Sequence, residues 1–284
     1  MKTTKTLLAA IVLGTSLVLG GGAAVKAAEG HIENAPNIDF SFEGVFGKFD
    51  RAQLQRGFLV YKQVCSACHA MDQMSYRNLG EPGGLELTVD QVKAVAAEYE
   101  VTAGPNGEGD MFTRPATPAD KFAKPFPNKQ AAQNANGGAY PPDLSLITKK
   151  REGFHYPWYV SPFIKLVTGN GGPEYVHAVL TGYKDAPAEL AKDAPEGKHF
   201  NPYFAAGPWI SMAPPLTEDA VEYADGTKAT VDQMATDVSA FLTWAGEPKM
   251  EERKSMGFKV VLYLLLLSVL LYLTKKRVWG REPH

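Results

Sequence analysis

Apolar residues recur at the 3.6-residue period of an α-helix in four segments of this chain. The first segment begins with a capping-box-like pattern at Asp50 and Gln53 and runs directly into Cys65. Its apolar face is formed by Leu54, Phe58 and Tyr61. The spacing predicts a helix that presents Cys65 and the residues after it from a rigid element.

Three further helices are predicted from the same period and from their end signals. The second covers about 89–100, after a capping-box pattern that starts at Thr88. The third is short and covers 173–181, with a proline in its first turn and Gly182 just beyond its end. The fourth begins at Thr230 and stops before a glycine and a proline. Its core-facing residues are Met234, Val238, Phe241, Leu242 and Ala245.

Regular strands are not predicted anywhere in the chain, because no alternation of apolar and polar residues reaches a useful length. The segment 102–142 is rich in glycine, proline and asparagine, and the segment 207–216 is rich in proline. Both segments are expected to be mostly loop. The pattern as a whole predicts a mainly α domain with long loops.

The N-terminal segment 1–27 has the pattern of a secretory signal peptide. Lys2 and Lys5 precede an apolar run over 7–19, and small residues lead to a predicted cleavage after Ala27. An uncleaved membrane anchor is the alternative, which the shortness of the run disfavours. Residues 28–49 follow as a polar N-terminal arm that carries aromatic residues but no period.

An apolar run without a charge, residues 260–274, lies near the C-terminus. Extended by the residues before it, the run predicts a transmembrane anchor over 255–274, and a buried core helix is the alternative. Three basic residues follow in the tail 275–284, and such a cluster marks the cytoplasmic side of a membrane. The domain formed by 50–254 is therefore expected on the opposite side, in the periplasm of a bacterium.

Both cysteines of the chain lie in one motif, Cys65-Ser66-Ala67-Cys68-His69. The spacing Cys-x-x-Cys-His is that of covalent attachment of a c-type haem. Two thiols add across the vinyl groups of one porphyrin and the histidine binds the iron, so these residues must be near neighbours. A redox-active Cys-x-x-Cys is one alternative, but the alternating strands and helices expected with it are not predicted. A zinc site is another, but the chain has no second cysteine pair.

An iron held by one histidine is either open for catalysis or closed by a second ligand for electron transfer, and a methionine in that place raises its reduction potential. Most methionines after the signal segment are unsuited as the second iron ligand, since they lie too close to His69, on the core stripe of the fourth helix or beside the anchor. Met111 and Met212 remain. Two prolines near Met212 would stiffen a loop that holds a weak thioether ligand. A gap-filling core role for Met212 is the alternative.

Several segments carry a resemblance to a known family, namely VYKQVCSACH at 60–69, SYRNL at 75–79, GPN at 104–106, MFTRP at 111–115, NGGAYPPDLS at 136–145, NPYF at 201–204 and MAPP at 212–215. With the final helix and the anchor, they resemble the cytochrome c1 family, the haem subunits of cytochrome bc1 complexes. The resemblance extends in order from about residue 50 to residue 279. An aromatic, proline-containing insertion over 154–170 departs from the familiar pattern between Arg151 and Gly171.

The resemblance implies a cytochrome c-like haem domain with one covalently attached haem c. The site residues that it implies are the thioether cysteines Cys65 and Cys68, the axial ligands His69 and Met212, the propionate-facing Arg151, and the pocket-lining Asn136, Pro142 and Tyr175. Guanidinium matches the fork of a carboxylate, while proline and tyrosine pack the ring and exclude water. Together with the anchor, these residues complete the expected fold and site.

The resemblance also implies a membrane-anchored electron carrier without bond chemistry of its own. It would take single electrons from a Rieske iron–sulfur protein and pass them to a soluble or anchored c-type cytochrome. Its complex would contain cytochrome b, be dimeric, and oxidise quinol in the inner membrane of a bacterium, in respiratory or photosynthetic electron transport. Two alternatives stay open: a monohaem carrier of another complex, and a haem peroxidase or gas sensor with an open iron position.

Charge is distributed unevenly over the 284 residues. Each end of the chain carries a net +3, so the formal charge of −2 for the whole chain becomes −8 for 28–274. This acidic body disfavours nucleic acid and favours a basic protein partner, although net acidity also simply keeps a domain soluble. Two acidic groups are candidate docking patches for a basic cytochrome: Glu98, Glu100, Glu108 and Asp110, or Glu218, Asp219 and Glu222.

Overall fold

Helices make up most of the regular structure in this computed structural model, which describes residues 33–154, 159, 169–192 and 194–280. The predicted signal peptide, most of the 154–170 insertion and the last four residues lie outside the described residues. The helices are α1 (Arg51–Gln63), α2 (Val89–Ala97), α3 (Lys129–Ala135), α4 (Ile147–Lys150), α5 (Gly172–Thr181), α6 (Ala188–Ala191), α7 (Val231–Gly246) and α8 (Met250–Trp279). This confirms the predicted mainly α architecture with a C-terminal apolar helix.

Two short antiparallel strand pairs accompany the helices. Strands β1 (Glu100–Ala103) and β2 (Phe112–Pro115) pair with Glu100 opposite Pro115. Strands β3 (His199–Phe200) and β4 (Trp209–Ile210) pair with His199 opposite Ile210. The prediction of a chain without strands is wrong at these places, whereas 102–142 and 207–216 are mostly loop, as predicted, apart from these strands and α3. Strands of two to four residues are too short to show a period of two.

The four predicted helices all form, and their capping residues act as expected. The carboxylate of Asp50 accepts from the backbone N–H groups of Ala52 and Gln53, at 2.9 and 3.3 Å. Thr88 and Thr230 each accept from the N–H three residues later. The predicted end of α2 at residue 100 is wrong, since the helix ends at Ala97 and the chain turns into β1.

The core is organised by the crossing of α1 and α7, and α5 also packs against α7. Gly57 lies at the crossing, where a Cβ atom would overlap the backbone carbonyl of Asp237. Beside the crossing, Arg56 donates to both carboxylate oxygens of the fully buried Asp237, at 3.0 and 3.3 Å. Close backbone approach and this ion pair hold α1, and therefore Cys65 beyond its end, against the core.

Gly57→Ala tests this crossing, because the added methyl group has no free space against the backbone of α7. We expect the free energy of unfolding to fall by about 1–3 kcal/mol, the usual cost of overpacking. Thermal unfolding followed by circular dichroism would measure it. The matched control is Gly107→Ala, where nothing lies within 4 Å of the added atom. Equal melting temperatures for the two variants would contradict the close approach.

Within the described part of the chain, α8 is the one helix long and apolar enough to cross a membrane. It runs for 30 residues, and none of its most apolar stretch is buried against the rest of the chain. It begins five residues before the predicted anchor 255–274 and ends five residues after it. The described part of the predicted arm, 33–49, has turns but neither helix nor strand.

Candidate functional site

A cavity of about 750 Å³ opens between the end of α1, the loop before α4, helices α5 and α7, and the segment 204–215. This volume lies within the usual range for a cofactor or ligand pocket. All eight residues predicted for the site line the cavity, namely Cys65, Cys68, His69, Asn136, Pro142, Arg151, Tyr175 and Met212. The remaining wall is mostly apolar, with Leu144, Val176, Val179, Phe204, Val238 and Leu242 among its members.

The Cys-x-x-Cys-His motif forms one tight turn at the end of α1. Residues Cys65–Ala67 are a 3₁₀ turn, and the backbone N–H groups of Cys68 and His69 both donate to the carbonyl of Cys65, at 3.1 and 2.9 Å. The hydroxyl of Ser66 donates to the carbonyl of Lys62 at 2.7 Å, which ties the turn to the helix. This local folding brings both thiols and the imidazole to the same wall of the cavity.

The two cysteines are free thiols, and the surroundings of Cys65 argue against disulfide exchange. Burial, together with the neighbouring Cys68, raises the pKa of the Cys65 thiol to about 12. A redox-active Cys-x-x-Cys has a lowered pKa instead, commonly at a helix N-terminus, whereas this motif follows a helix C-terminus. Among the described residues, no group of three or more His, Cys, Asp or Glu side chains is placed to hold a metal ion such as zinc.

The tautomer of His69 is set by a hydrogen bond from another part of the chain. Its Nδ1 lies 2.8 Å from the carbonyl oxygen of Pro142, which can only accept, so Nδ1 carries the proton. Burial lowers the pKa of His69, while the bond to Pro142 and the charge of Asp143 oppose the shift. The imidazole is therefore neutral at pH 7, with its Nε2 lone pair available to a metal. Sequence reasoning assigned Pro142 only to the pocket wall.

Met212 lies in the loop after β4, half-buried and packed against the core. The hydroxyl of Tyr183 donates to its backbone carbonyl at 3.0 Å. Burial raises the pKa of Tyr183, so the hydroxyl stays protonated and able to donate. Met111, the other methionine that the sequence left open, is 60% exposed and does not line the cavity. Tyr183 was missed from the sequence, where the only signal is its place directly after Gly182.

Three further predicted residues have different roles in the wall. Arg151 has a buried Nε atom without a hydrogen-bond partner among the described residues. Tyr175 accepts from the backbone N–H of Ala205 at 3.3 Å and so positions part of the 204–215 segment. The side chain of Asn136 donates to the carbonyl of Ala132 at 2.7 Å, so it caps α3 at the edge of the cavity. Lys198 also lines the cavity and was not predicted.

The insertion over 154–170 leaves Arg151 in place because the insertion is closed at its base. The N–H of Gly153 donates to the carbonyl of Asn170 at 3.0 Å, so the chain returns to the point where it left. The side-chain amide of Asn170 donates to the carbonyls of Lys149 and Arg151, at 3.2 and 3.0 Å. The departure from the family pattern therefore does not displace the arginine from the cavity.

Comparison with known proteins decides the family of the chain. The model of the cytochrome C1 family matches residues 40–282. The chain belongs to the cytochrome c1 family. Cytochrome c1 of Cereibacter sphaeroides is 47% identical over 94% of this chain and 93% of its own length. A mitochondrial protein of Solanum tuberosum named "Cytochrome c1-2, heme protein" is 47% identical over 91% of this chain and 92% of its own length.

One relative is a longer protein. The protein named "Cytochrome b/c1" of Bradyrhizobium diazoefficiens is 48% identical over 95% of this chain, but the match covers 39% of that protein.

The predicted resemblance to the cytochrome c1 family is confirmed over most of the chain, since the family match covers residues 40–282. The residues that the resemblance singled out lie together at one cavity, although they come from segments up to 147 positions apart (65 and 212).

Proposed function

We propose that this chain is an electron carrier that holds one covalently attached haem c in the cavity, as the haem subunit of a cytochrome bc1 complex. The observation that carries the proposal is the turn at Cys65–His69, which presents two unpaired thiols and a neutral imidazole to a largely apolar cavity. Membership of the cytochrome c1 family supports the same cofactor. The haem supplies one-electron redox chemistry when bound.

The residues of the cavity fit the parts of a haem. Cys65 and Cys68 would form the thioethers, and His69 would bind iron through Nε2 because Nδ1 is committed to Pro142. The unpartnered Nε of Arg151 fits the carboxylate of a propionate. The apolar wall suits the macrocycle and excludes water, which keeps the reduction potential high.

Met212 would be the second axial ligand, and Tyr183 its positioning residue. A thioether is a weak ligand, so its loop must be held in place by other contacts. The hydroxyl of Tyr183 holds the backbone of Met212, and the prolines at 214 and 215 restrict the chain beyond it. Pro142 and Tyr175 complete the wall, and Asn136 supports it through α3.

The proposed location is the inner membrane of a bacterium, crossed once by α8. The signal pattern of 1–27 would export the domain formed by 50–254, including its haem, to the periplasm. The basic cluster in the tail 275–284 supports a cytoplasmic C-terminus. The length of α8 and the exposure of its apolar stretch support the crossing itself.

The proposed partners are cytochrome b and a Rieske iron–sulfur protein, which would donate the electron, in a dimeric quinol-oxidising complex. Purification of the tagged chain in mild detergent tests this directly. We expect a multi-span cytochrome b and a Rieske protein to co-purify with it in equal amounts. Finding neither, while the haem is retained, would favour the alternative of a monohaem carrier that serves another complex.

The proposed electron acceptor is a basic c-type cytochrome that docks on an acidic patch. Both candidate patches are exposed, but Glu98 already pairs with Lys62 at 2.6 Å. The patch of Glu218, Asp219 and Glu222 begins three residues after Pro215 of the cavity wall. This closeness along the chain favours the second patch as the docking surface.

The salt dependence of electron transfer tests this docking. Because screening weakens attraction between exposed charges, we expect reduction of a basic cytochrome to slow by roughly ten-fold between low and high salt. Stopped-flow absorbance would measure the rate. Glu218→Lys combined with Glu222→Lys should slow the reaction at low salt more than Glu108→Lys combined with Asp110→Lys. A rate that stays equally fast at all salt concentrations would contradict docking by charge.

A further inference from the structure

A short loop of the N-terminal arm exposes two apolar side chains to solvent. Val45 is 64% exposed, and Phe46, at 73%, is the most exposed large apolar side chain in the described part of the chain. Neither residue contributes to the core or to the cavity. Exposed apolar side chains mark a contact with a membrane or with another protein when they belong to a larger contiguous apolar patch.

The backbone conformation of this loop keeps its tip exposed. Gly44 has φ of +68°, which favours glycine, and a Cβ at Gly47 would overlap the carbonyl oxygen of Glu43. The N–H of Lys48 donates to the carbonyl of Ser41 at 3.0 Å and closes the loop. At its base, the rings of Phe40, Phe42 and Phe49 are buried and packed on one another, with centroids 5.0 and 4.9 Å apart. The loop is therefore a supported projection.

The same loop is fixed to the beginning of α8. The ammonium group of Lys254 donates to the carbonyls of Phe42 and Gly44, at 2.6 and 2.7 Å. One turn further along α8, the ring of Phe258 meets the ring of Phe46 edge-on, with centroids 5.5 Å apart. The apolar tip of the loop is thus continuous with the apolar surface of α8.

The length of α8 places this contact at the edge of the membrane. Thirty residues form a helix of about 45 Å, which exceeds the roughly 30 Å hydrocarbon core of a bilayer. The polar first turn of α8 must then stand outside the hydrocarbon, and Phe258 lies where the apolar stretch begins. Aromatic side chains are favoured at this level of a membrane.

We propose that Val45 and Phe46 insert into the head-group layer of the lipid bilayer beside α8, on the side of the haem domain. The inference rests on the proposed membrane crossing by α8. The loop then acts as a second contact with the lipid and restrains tilting of the domain about the anchor. Lys48 and Lys259, both exposed and close along the chain to Phe46 and Phe258, offer ammonium groups to lipid phosphates.

Photocrosslinking in native membranes tests the proposal. The full chain would carry p-benzoylphenylalanine in place of Phe46, or in place of Val89 as a matched control. Val89 is also highly exposed, at 69%, but lies on α2. Positions 264, 265 and 266, which face successive sides of α8, report on the crossing itself. We expect adducts with the mass of a phospholipid at 46 and in α8, and none at 89.

Other crosslinking results would contradict either the lipid contact of the loop or the membrane crossing by α8. Adducts at 46 with a protein subunit, or no adducts there while α8 yields lipid adducts, would overturn the lipid contact and leave the crossing intact. Absence of lipid adducts at all three α8 positions would contradict the crossing by α8, and the loop proposal would fail with it. The optical spectrum of the haem and the melting temperature verify that every variant is folded.

Discussion

Met212→Leu should leave the haem attached but lower its reduction potential by on the order of hundreds of millivolts, within the roughly 0.8 V that axial ligands span. Leucine has nearly the volume of methionine, so the loop keeps its packing against the core, but it has no lone pair to bind iron. The low-spin six-coordinate spectrum should become high-spin. An optical redox titration of the purified protein would measure both changes. Electron transfer from a donor of high potential should then become unfavourable.

The matched control for this variant is Met111→Leu, because Met111 is exposed and lies away from the cavity. Its spectrum and potential should equal those of the unsubstituted protein. Tyr183→Phe should retain six-coordinate iron with a less stable Fe–S bond, since it removes the hydrogen bond that holds the Met212 backbone. An unchanged six-coordinate spectrum in Met212→Leu would remove Met212 from the iron. High-spin iron in the unsubstituted protein would favour a peroxidase or gas sensor.

The second large effect is expected from replacing both cysteines of the motif. Cys65→Ala combined with Cys68→Ala should abolish covalent haem, because the chain contains no other thiol. Haem staining after denaturing electrophoresis would then be lost completely. Each single variant should retain one thioether and shift the pyridine haemochrome band. Covalent haem in the double variant would contradict the proposed attachment.

Ser66→Ala is the control for the cysteine variants. It lies between the two cysteines and removes the bond to the carbonyl of Lys62, but it leaves both thiols in the turn. Covalent haem should therefore form at the normal level. Loss of staining in Ser66→Ala would indicate that the replacements act by unfolding the turn and not by removing the thiols.

The helices were predictable from sequence because their determinants are local. A capping residue and a stripe of apolar positions lie within a few residues of one another, as at Thr88 in α2 and Thr230 in α7. The two strands of the 100–115 hairpin carry no such signal. Each has only four residues, most of which are exposed, and a loop separates each strand from the one it pairs with. The chain enters this hairpin at Glu100, three residues after α2 ends at Ala97.

The candidate site also has parts that local sequence predicts and parts that it does not. The Cys65–His69 turn is local, so its spacing alone indicated the chemistry. The bond from His69 to Pro142 joins residues 73 positions apart, and no periodicity indicates it. The placement of Arg151 and Tyr175 came from the family resemblance and not from geometry. Tyr183 and Lys198 had neither source, so only the folded chain shows that Tyr183 holds the Met212 backbone and that Lys198 lines the cavity.

Under the proposed function, the ion pair between α1 and α8 limits how far the haem stands from the lipid. The guanidinium of Arg51, in the first turn of α1, binds both carboxylate oxygens of Glu251 in the first turn of α8, at 2.8 and 3.0 Å. Cys65 follows the other end of α1, a 13-residue helix of about 20 Å. The haem would then be held at a fixed place, separated from the beginning of the anchor by no more than about the 20 Å length of α1. Any travel between donor and acceptor must then be made by the partners.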